Sequence, residues 1–257
     1  MKMKTIKELL ILTLMSLVLT GCSDKNETAD MKTAKLVESD DENDQVLRIG
    51  MMSSSDVIPF VLMNEKGIAD KYDLKLDLQL FTSAGDRDAA FQAGELDGVL
   101  TDYIAVCMYQ NAGFDVRITG ITDGDFILMA GKDTGINNIN DIAGKSIAIS
   151  ENTLIDYTLD RILLGNNMNS DDVVKESVPR IPDRLELLRN DKIDLGLMPE
   201  PFATLALNDG AINLGSANES GLYPAVSAFS KKAIDEKEKA VRNLYAAYNE
   251  AVKYMNN

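Results

Sequence analysis

The chain of 257 residues contains no histidine and no tryptophan, and only two cysteines and six prolines. Lacking histidine, it lacks the commonest general base and the commonest nitrogen ligand for a metal. Lacking tryptophan, it has little to stack against a sugar or a flat ring. Tyr103, Tyr157, Phe60 and Phe126 are the aromatics placed for that work, and Phe60 and Phe126 read as core from their apolar neighbours. Basic residues are scarce, 26 against 41 acidic ones for a net charge of −15, and they form no basic stripe. Nucleic acid is thereby excluded as a partner, since nothing is available to neutralise phosphates. No glycine-rich phosphate loop of the P-loop or dinucleotide type occurs, and neither a cofactor nor a metal is expected.

The front of the chain reads as a targeting segment. Lys2, Lys4 and Lys7 precede an apolar run over residues 9–19, which is short for a membrane span. The run ends in Leu19-Thr20-Gly21-Cys22, which resembles the bacterial lipoprotein processing box. That resemblance implies a signal peptide over residues 1–22 and a lipid anchor on Cys22. Residues 23–45 carry eight acidic residues against three lysines and no aromatics, and show no helical or strand period. Such a stretch buries too little apolar surface to order itself and reads as a disordered acidic tether. Cys107 is then the one cysteine left in the mature protein, so no intrachain bridge forms there. It falls in an apolar helical stretch, residues 103–109, and is expected to pack as a small core residue.

The remainder repeats one unit. The apolar run over residues 46–52 breaks into Ser53-Ser54-Ser55-Asp56, and an amphipathic helical pattern follows until Gly67. This is strand, polar loop and helix, with Ser and Asp in capping positions. Residues 76–80 lead likewise to Ser83-Ala84-Gly85-Asp86, and residues 97–100 to Thr101-Asp102-Tyr103. Residues 146–149 lead to Ser150-Glu151-Asn152-Thr153, and residues 193–197 to Met198-Pro199-Glu200-Pro201. Alternating strands and helices predict βαβ units in a largely parallel sheet, with ligands bound beyond the carboxyl ends of the strands.

These units fall into two groups that echo each other. Phe91-Gln92-Ala93-Gly94-Glu95-Leu96-Asp97 and Leu188-Arg189-Asn190-Asp191-Lys192-Ile193-Asp194 each end a helix, turn on polar residues and enter a short strand. Extended apolar stretches at residues 125–130 and 223–229 lie where the chain would cross between the groups. Two crossings return the end of the chain to the first group. There Val241, Leu244, Tyr245, Tyr248, Val252 and Met255 make one apolar helical face.

With lobes and crossings in hand, the chain resembles the extracytoplasmic solute-binding proteins of bacterial ABC importers. The nearest group takes nitrate, taurine, alkanesulfonates and thiamine-pyrimidine precursors. The resemblance runs from about Val46 to the end. It is sharpest at Asp141-Ile142-Ala143-Gly144-Lys145-Ser146-Ile147-Ala148-Ile149-Ser150, at Arg184-Leu185-Glu186-Leu187-Leu188-Arg189, and at Met198-Pro199-Glu200-Pro201-Phe202-Ala203-Thr204-Leu205-Ala206-Leu207. It implies an α/β, two-lobed periplasmic-binding-protein fold of type II, with two crossover strands and a cleft between the lobes. Residues 46–123 plus 222–257 would form lobe 1 and residues 124–221 lobe 2. Members usually continue for several dozen residues beyond a helix like residues 231–257, so a truncated chain is expected, with part of the first lobe's outer surface missing. The resemblance also implies binding without catalysis, a small-molecule ligand, an ABC permease as partner, a lipid anchor in the membrane, and a monomer.

The cleft loops supply the candidate ligand-binding residues: Ser54, Ser55, Ser83, Gly85, Thr101, Asp102, Asp123, Asn152, Thr153 and Glu200. Hydroxyls and free N–H groups at helix starts suit an anion or the electron-rich edge of a neutral ligand, though the same residue types also serve as plain caps. Asp56, Asp86, Asp102, Asp123, Glu151 and Glu200 make the loops rich in carboxylate, which favours a nitrogenous, pyrimidine-like ligand over a sulfonate. Arg87 and Arg180 are the arginines without an evident solvent-facing role, whereas Arg184 is expected to face water. Two other classes remain open. One is a lipid-anchored sensory domain using the same cleft. The other is an enzyme, either through paired Asp123 and Asp125 or of the fungal thiamine-pyrimidine synthase type. That synthase consumes one of its own histidines, and this chain has none.

Overall fold

The computed structural model describes residues 46–122 and 124–257. The expected leader, tether and anchor cysteine (residues 1–22, residues 23–45 and Cys22) and the candidate ligand residue Asp123 lie outside the described residues. The chain begins with β1 (Val46–Met52), α1 (Ile58–Glu65), α2 (Ile68–Lys71), β2 (Lys75–Phe81) and α3 (Ala84–Gln92). It continues through β3 (Gly98–Asp102), α4 (Tyr103–Asn111) and β4 (Val116–Ile121). A first crossing delivers β5 (Phe126–Ala130), followed by β6 (Ser146–Ile149), α5 (Leu154–Gly165), β7 (Val174–Ser177), α6 (Ile181–Arg189), β8 (Leu195–Pro199), α7 (Phe202–Asn208) and β9 (Ile212–Ser216). The second crossing brings the chain back as β10 (Ala225–Ser230), α8 (Lys231–Glu236) and α9 (Glu238–Met255).

Two five-stranded sheets result, ordered β2-β1-β3-β10-β4 and β7-β6-β8-β5-β9. The orders are the same once corresponding strands are matched. In each sheet one strand runs against its neighbours: β10 pairs antiparallel with β3 and β4, and β5 with β8 and β9. These are the strands that follow the crossings, so each arrives from the opposite lobe. Both lobes are therefore mixed rather than purely parallel. The five strands expected to end in polar loops are β1, β2, β3, β6 and β8. All but β2 have parallel partners on both sides or one parallel and one antiparallel partner, and β2 closes an edge.

Helices cover both faces of each sheet. In the first lobe, Leu47, Ile49 and Met51 of β1 meet Phe60 and Met63 of α1 and Leu244, Ala247 and Ala251 of α9. On the other face Phe91, Val99, Val106 and Tyr109 form a second core. The second lobe repeats this with Leu159, Ile162 and Ile147 on one face and Leu185, Leu188 and Met198 on the other. Every residue of β3 and of β8 is buried, as expected of strands covered on both faces.

Cys107 departs from expectation: it is exposed. On α4, Ala105, Val106 and Tyr109 turn toward the sheet, which rotates Cys107 and Met108 outward. Among the described residues no helix is long and apolar enough to cross a membrane.

Candidate functional site

The carboxyl ends of the parallel strands of both sheets, together with the starts of β5 and β10, face one cleft. Its main cavity, so termed because both lobes and both crossings wall it, holds about 730 Å³ free of protein atoms, counting the open mouth. The first lobe contributes Met52, Ser54, Ser55, Asp56, Ala84, Arg87, Leu100, Thr101 and Asp102; the second contributes Ser150, Thr153, Leu154, Ile155, Pro179, Ile181, Arg184 and Pro199. Gly124, Asp125, Phe126 and Ala225, at the crossings, complete the wall.

The lobes touch directly beside this cavity. Ser55 donates its backbone N–H to the Glu200 carbonyl at 3.0 Å, and Ile181 donates to the Thr82 carbonyl at 3.3 Å. Met52 packs against the core of the second lobe. Tyr103 on α4 and Tyr157 on α5 meet edge to face across the cleft, with ring centroids 6.5 Å apart. This is a closed arrangement.

Several loop residues cap a helix. Asp102 accepts the Ala105 N–H at 2.8 Å, Ser83 accepts the Asp86 N–H at 3.2 Å, and Thr153 accepts the Ile155 N–H at 3.2 Å. Capping satisfies helix-end donors wherever such a residue sits, so it neither requires nor prevents contact with a ligand. Position decides: Asp102 and Thr153 also line the main cavity, whereas Ser83 does not. Ser54, Ser55 and Thr101 line it too, and Thr101 is buried. Gly85 and Asn152 line a neighbouring recess of about 850 Å³, which shares Ala84, Arg87, Asp102 and Thr153 with the main cavity. Glu200 lines neither; its side chain accepts the Thr204 N–H at 3.0 Å, in the first turn of α7.

The charged residues are arranged differently from the loop sequence. Of the carboxylates expected there, Asp56 and Asp102 line the main cavity, while Asp86 bonds Ser83 locally at 2.6 Å. Burial pushes the Asp56 carboxyl above its ordinary value, against hydrogen bonds from Ser54 and from Thr122 at 3.1 Å. Burial also raises Asp102, with the Arg87 guanidinium acting the other way. Two arginines join them. Arg87 is 3% exposed and Arg184 2% exposed. The expectation that Arg184 faces water is thus overturned: the fourth residue of α6 points back onto the sheet and donates to the Leu197 carbonyl at 2.7 Å. Arg180, in contrast, is the solvent-facing one, with 56% of its side chain exposed, paired at 3.6 Å with Asp183. Among the described residues no group of three or more His, Cys, Asp or Glu is placed to hold a metal ion.

The sequence profile of the NMT1-like family matches residues 40–257, most of the chain. This chain belongs to the NMT1-like family. No curated protein matches it. Solved structures share its fold. The alkanesulfonate-binding protein SsuA from Xanthomonas axonopodis pv. citri, bound to MOPS, is 18% identical with a TM-score of 0.70, over 80% of this chain and 73% of that one. The ligand-binding component of an ABC-type import system from Staphylococcus aureus, with zinc bound, is 17% identical with a TM-score of 0.69, over 80% of this chain and 73% of that one. The periplasmic nitrate-binding protein NrtA from Synechocystis PCC 6803 is 15% identical with a TM-score of 0.69, over 83% of this chain and 62% of that one. The two-lobed periplasmic-binding-protein architecture is therefore that of this NMT1-like protein as well.

Arg184 and Pro179 wall the NMT1-like cleft without standing among the residues expected there. A signal for Arg184 was present. Arg87 and Arg184 each stand ten residues before the aspartate of the echoed turns, Asp97 and Asp194. An apparent surface helix in one half could have been matched to its counterpart in the other.

Proposed function

We propose that this protein is the solute-binding component of an ABC importer, capturing a small polar metabolite outside the cell and handing it to the membrane permease. The observation that carries this reading is the cavity itself, closed between two lobes and walled by buried polar groups from both. Ligand enters an open cleft, engages donors and acceptors of both lobes, and favours the closed form by its greater affinity for that form. The named functions of the similar structures, binding of alkanesulfonates and nitrate and ligand capture for an ABC-type importer, support the same class. Tethering through lipid on Cys22, extracytoplasmic location, a monomeric state, a permease partner and the absence of catalysis belong to this reading. So does the division into residues 46–123 plus 222–257 and residues 124–221. The lining residues proposed to touch the ligand are Ser54, Ser55, Thr101, Asp102 and Thr153, with Ser83, Gly85, Asn152 and Glu200 further out along the same loops; Asp123, outside the described residues, is proposed as a ligand residue as well.

The test is small-angle scattering combined with a thermal-shift panel of sulfonates, nitrate, pyrimidines, amines and amino acids on residues 23–257. A ligand that binds only the folded protein raises its unfolding midpoint by mass action, and the same ligand should compact the scattering envelope. Gly124→Pro, in the first crossing, should lower affinity about tenfold by stiffening the hinge. A folded protein that neither shifts nor compacts with any class of compound would overturn the reading.

A further inference from the structure

Arg87 and Arg184 occupy the same place in the two lobes. Each is the fourth residue of its helix, and each donates Nη1 to the carbonyl thirteen residues on, Leu100 at 3.0 Å and Leu197 at 2.7 Å. Their next neighbours differ. Arg87 is followed by Asp88, which accepts from Nε at 2.8 Å and lies 2.7 Å from Nη2. Arg184 is followed by Leu185, and among the described residues no carboxylate pairs with it.

A guanidinium carries five N–H donors. Arg184 spends one on Leu197 and a second on a long 3.5 Å contact to the Pro179 carbonyl, and its buried Nε has no partner. Burial alone pulls this arginine down to about 10. A buried cation without a counter-ion is costly unless something supplies the missing charge and acceptors. The first lobe shows the converse. Asp56, half-buried on the cavity wall, is bonded by the hydroxyls of Ser54 and Thr122 and by a backbone N–H, all neutral donors, and among the described residues no cation forms an ion pair with it. Arg87, the nearest cation, is already engaged by Asp88.

Resting on the solute-binding reading, we infer that the ligand is dipolar and bound in one orientation: its anionic head sits on Arg184 of the second lobe, and its cationic nitrogen faces Asp56 of the first. Such a ligand supplies the acceptors that Arg184 lacks and the charged donor that Asp56 lacks. Because the two ends belong to different lobes, it also draws the lobes together, which a ligand with one charge does not do equally well.

The experiment is isothermal titration of residues 23–257 with ω-amino carboxylates and ω-amino sulfonates of two to six carbons. Each is compared with the alkylamine and the alkyl carboxylate or sulfonate of matching length. At least one dipolar member is expected to bind at least 100-fold more tightly than both of its singly charged counterparts. Arg184→Gln should reduce that member to the affinity of the amine, and Asp56→Asn to the affinity of the anion. Arg184→Lys checks folding, since it keeps the buried charge. Equal binding of a singly charged counterpart would overturn the dipolar assignment. So would failure of the whole series while another class of compound closes the lobes; the solute-binding reading would then stand. If no compound of any class binds, both fall together.

Discussion

Asp97 and Asp194 accept the same bond in the two lobes. The Arg48 N–H reaches Asp97 Oδ2 at 2.9 Å, and the Ser146 N–H reaches Asp194 Oδ2 at 2.9 Å. Each carboxylate thus ties the start of a central strand to the strand beside it. Asp97 also takes Nε and Nη2 of Arg48 and, at 2.9 Å, Nζ of Lys237 from the chain's return. Asp194 adds only the Ser146 hydroxyl at 2.8 Å.

Removing these carboxylates should therefore be unequal. Asp97→Ala leaves the poorly exposed Lys237 without its counter-ion and should cost about 3 kcal/mol. Asp194→Ala should cost about 1 kcal/mol. Urea unfolding at neutral pH measures both. Burial pushes both groups up, but their hydrogen bonds win and hold them below the ordinary 3.8. Their stabilisation is present above that value and lost as pH falls through the depressed values, so the gap between wild type and Asp97→Ala should close on strong acidification.

Gly98 stands opposite Phe229 in the β3–β10 pairing, where a Cβ would lie 2.5 Å from ring atom Cε1. The ring is buried and cannot swing clear. Gly98→Ala is expected to cost about 2 kcal/mol, read from the urea midpoint. Gly85 is the control: nothing lies within 4 Å of its Cβ position, near the start of α3. Gly85→Ala should hold or raise stability, by about 0.5 kcal/mol.

The Tyr103–Tyr157 edge-to-face pair joins the lobes on the cleft rim. Such pairs contribute about 1 kcal/mol beyond area burial, and this one exists only when the cleft is shut. Tyr157→Ala should weaken ligand about fivefold through faster release, with little change in the unfolding midpoint of the ligand-free protein. Stopped-flow release kinetics would show it; an unchanged release rate would mean that the pair does not contribute to closure.

Asp56 gives binding its own pH dependence. With its carboxyl held above 3.8 by burial, it takes up a proton at a higher pH than an exposed aspartate. The groups facing it are the Ser54 and Thr122 hydroxyls and the Arg87 guanidinium. Affinity for a cation-bearing ligand should thus begin to fall on acidification before ordinary carboxylates titrate, and Asp56→Asn should flatten that limb. For the ligand-free fold the sign is opposite: this raised group makes stability decline as pH rises through the same window.

Much of the fold could be read along the chain. Local apolar runs ending in Ser, Thr or Asp marked β1, β2, β3 and β6, and a run ending in Pro-Glu-Pro marked β8, because period and capping chemistry act over a few residues. The edge strand β7 left no comparable mark, since three of its four residues are exposed and it has no two-faced apolar pattern to show. Cys107 and Arg184 were misplaced for a shared reason. Which side of a helix meets the sheet depends on how the helix is rotated in its packing. Composition alone does not report that rotation when both faces carry mixed residues.

The sequence by itself determined the repeated strand–loop–helix units, the echo between Asp97 and Asp194, and the collection of polar loops at strand ends. The units and loops rest on residues close together in the chain, and the echo on a match between two short stretches. Only the tertiary structure decided which loop residues share a cavity, that β5 and β10 run antiparallel in their sheets, and that the two arginines are buried. It alone separates Arg87, neutralised by Asp88, from Arg184, which has no such partner. The burial that makes this difference matter comes from packing two lobes around one cleft, and no stretch of either lobe contains it.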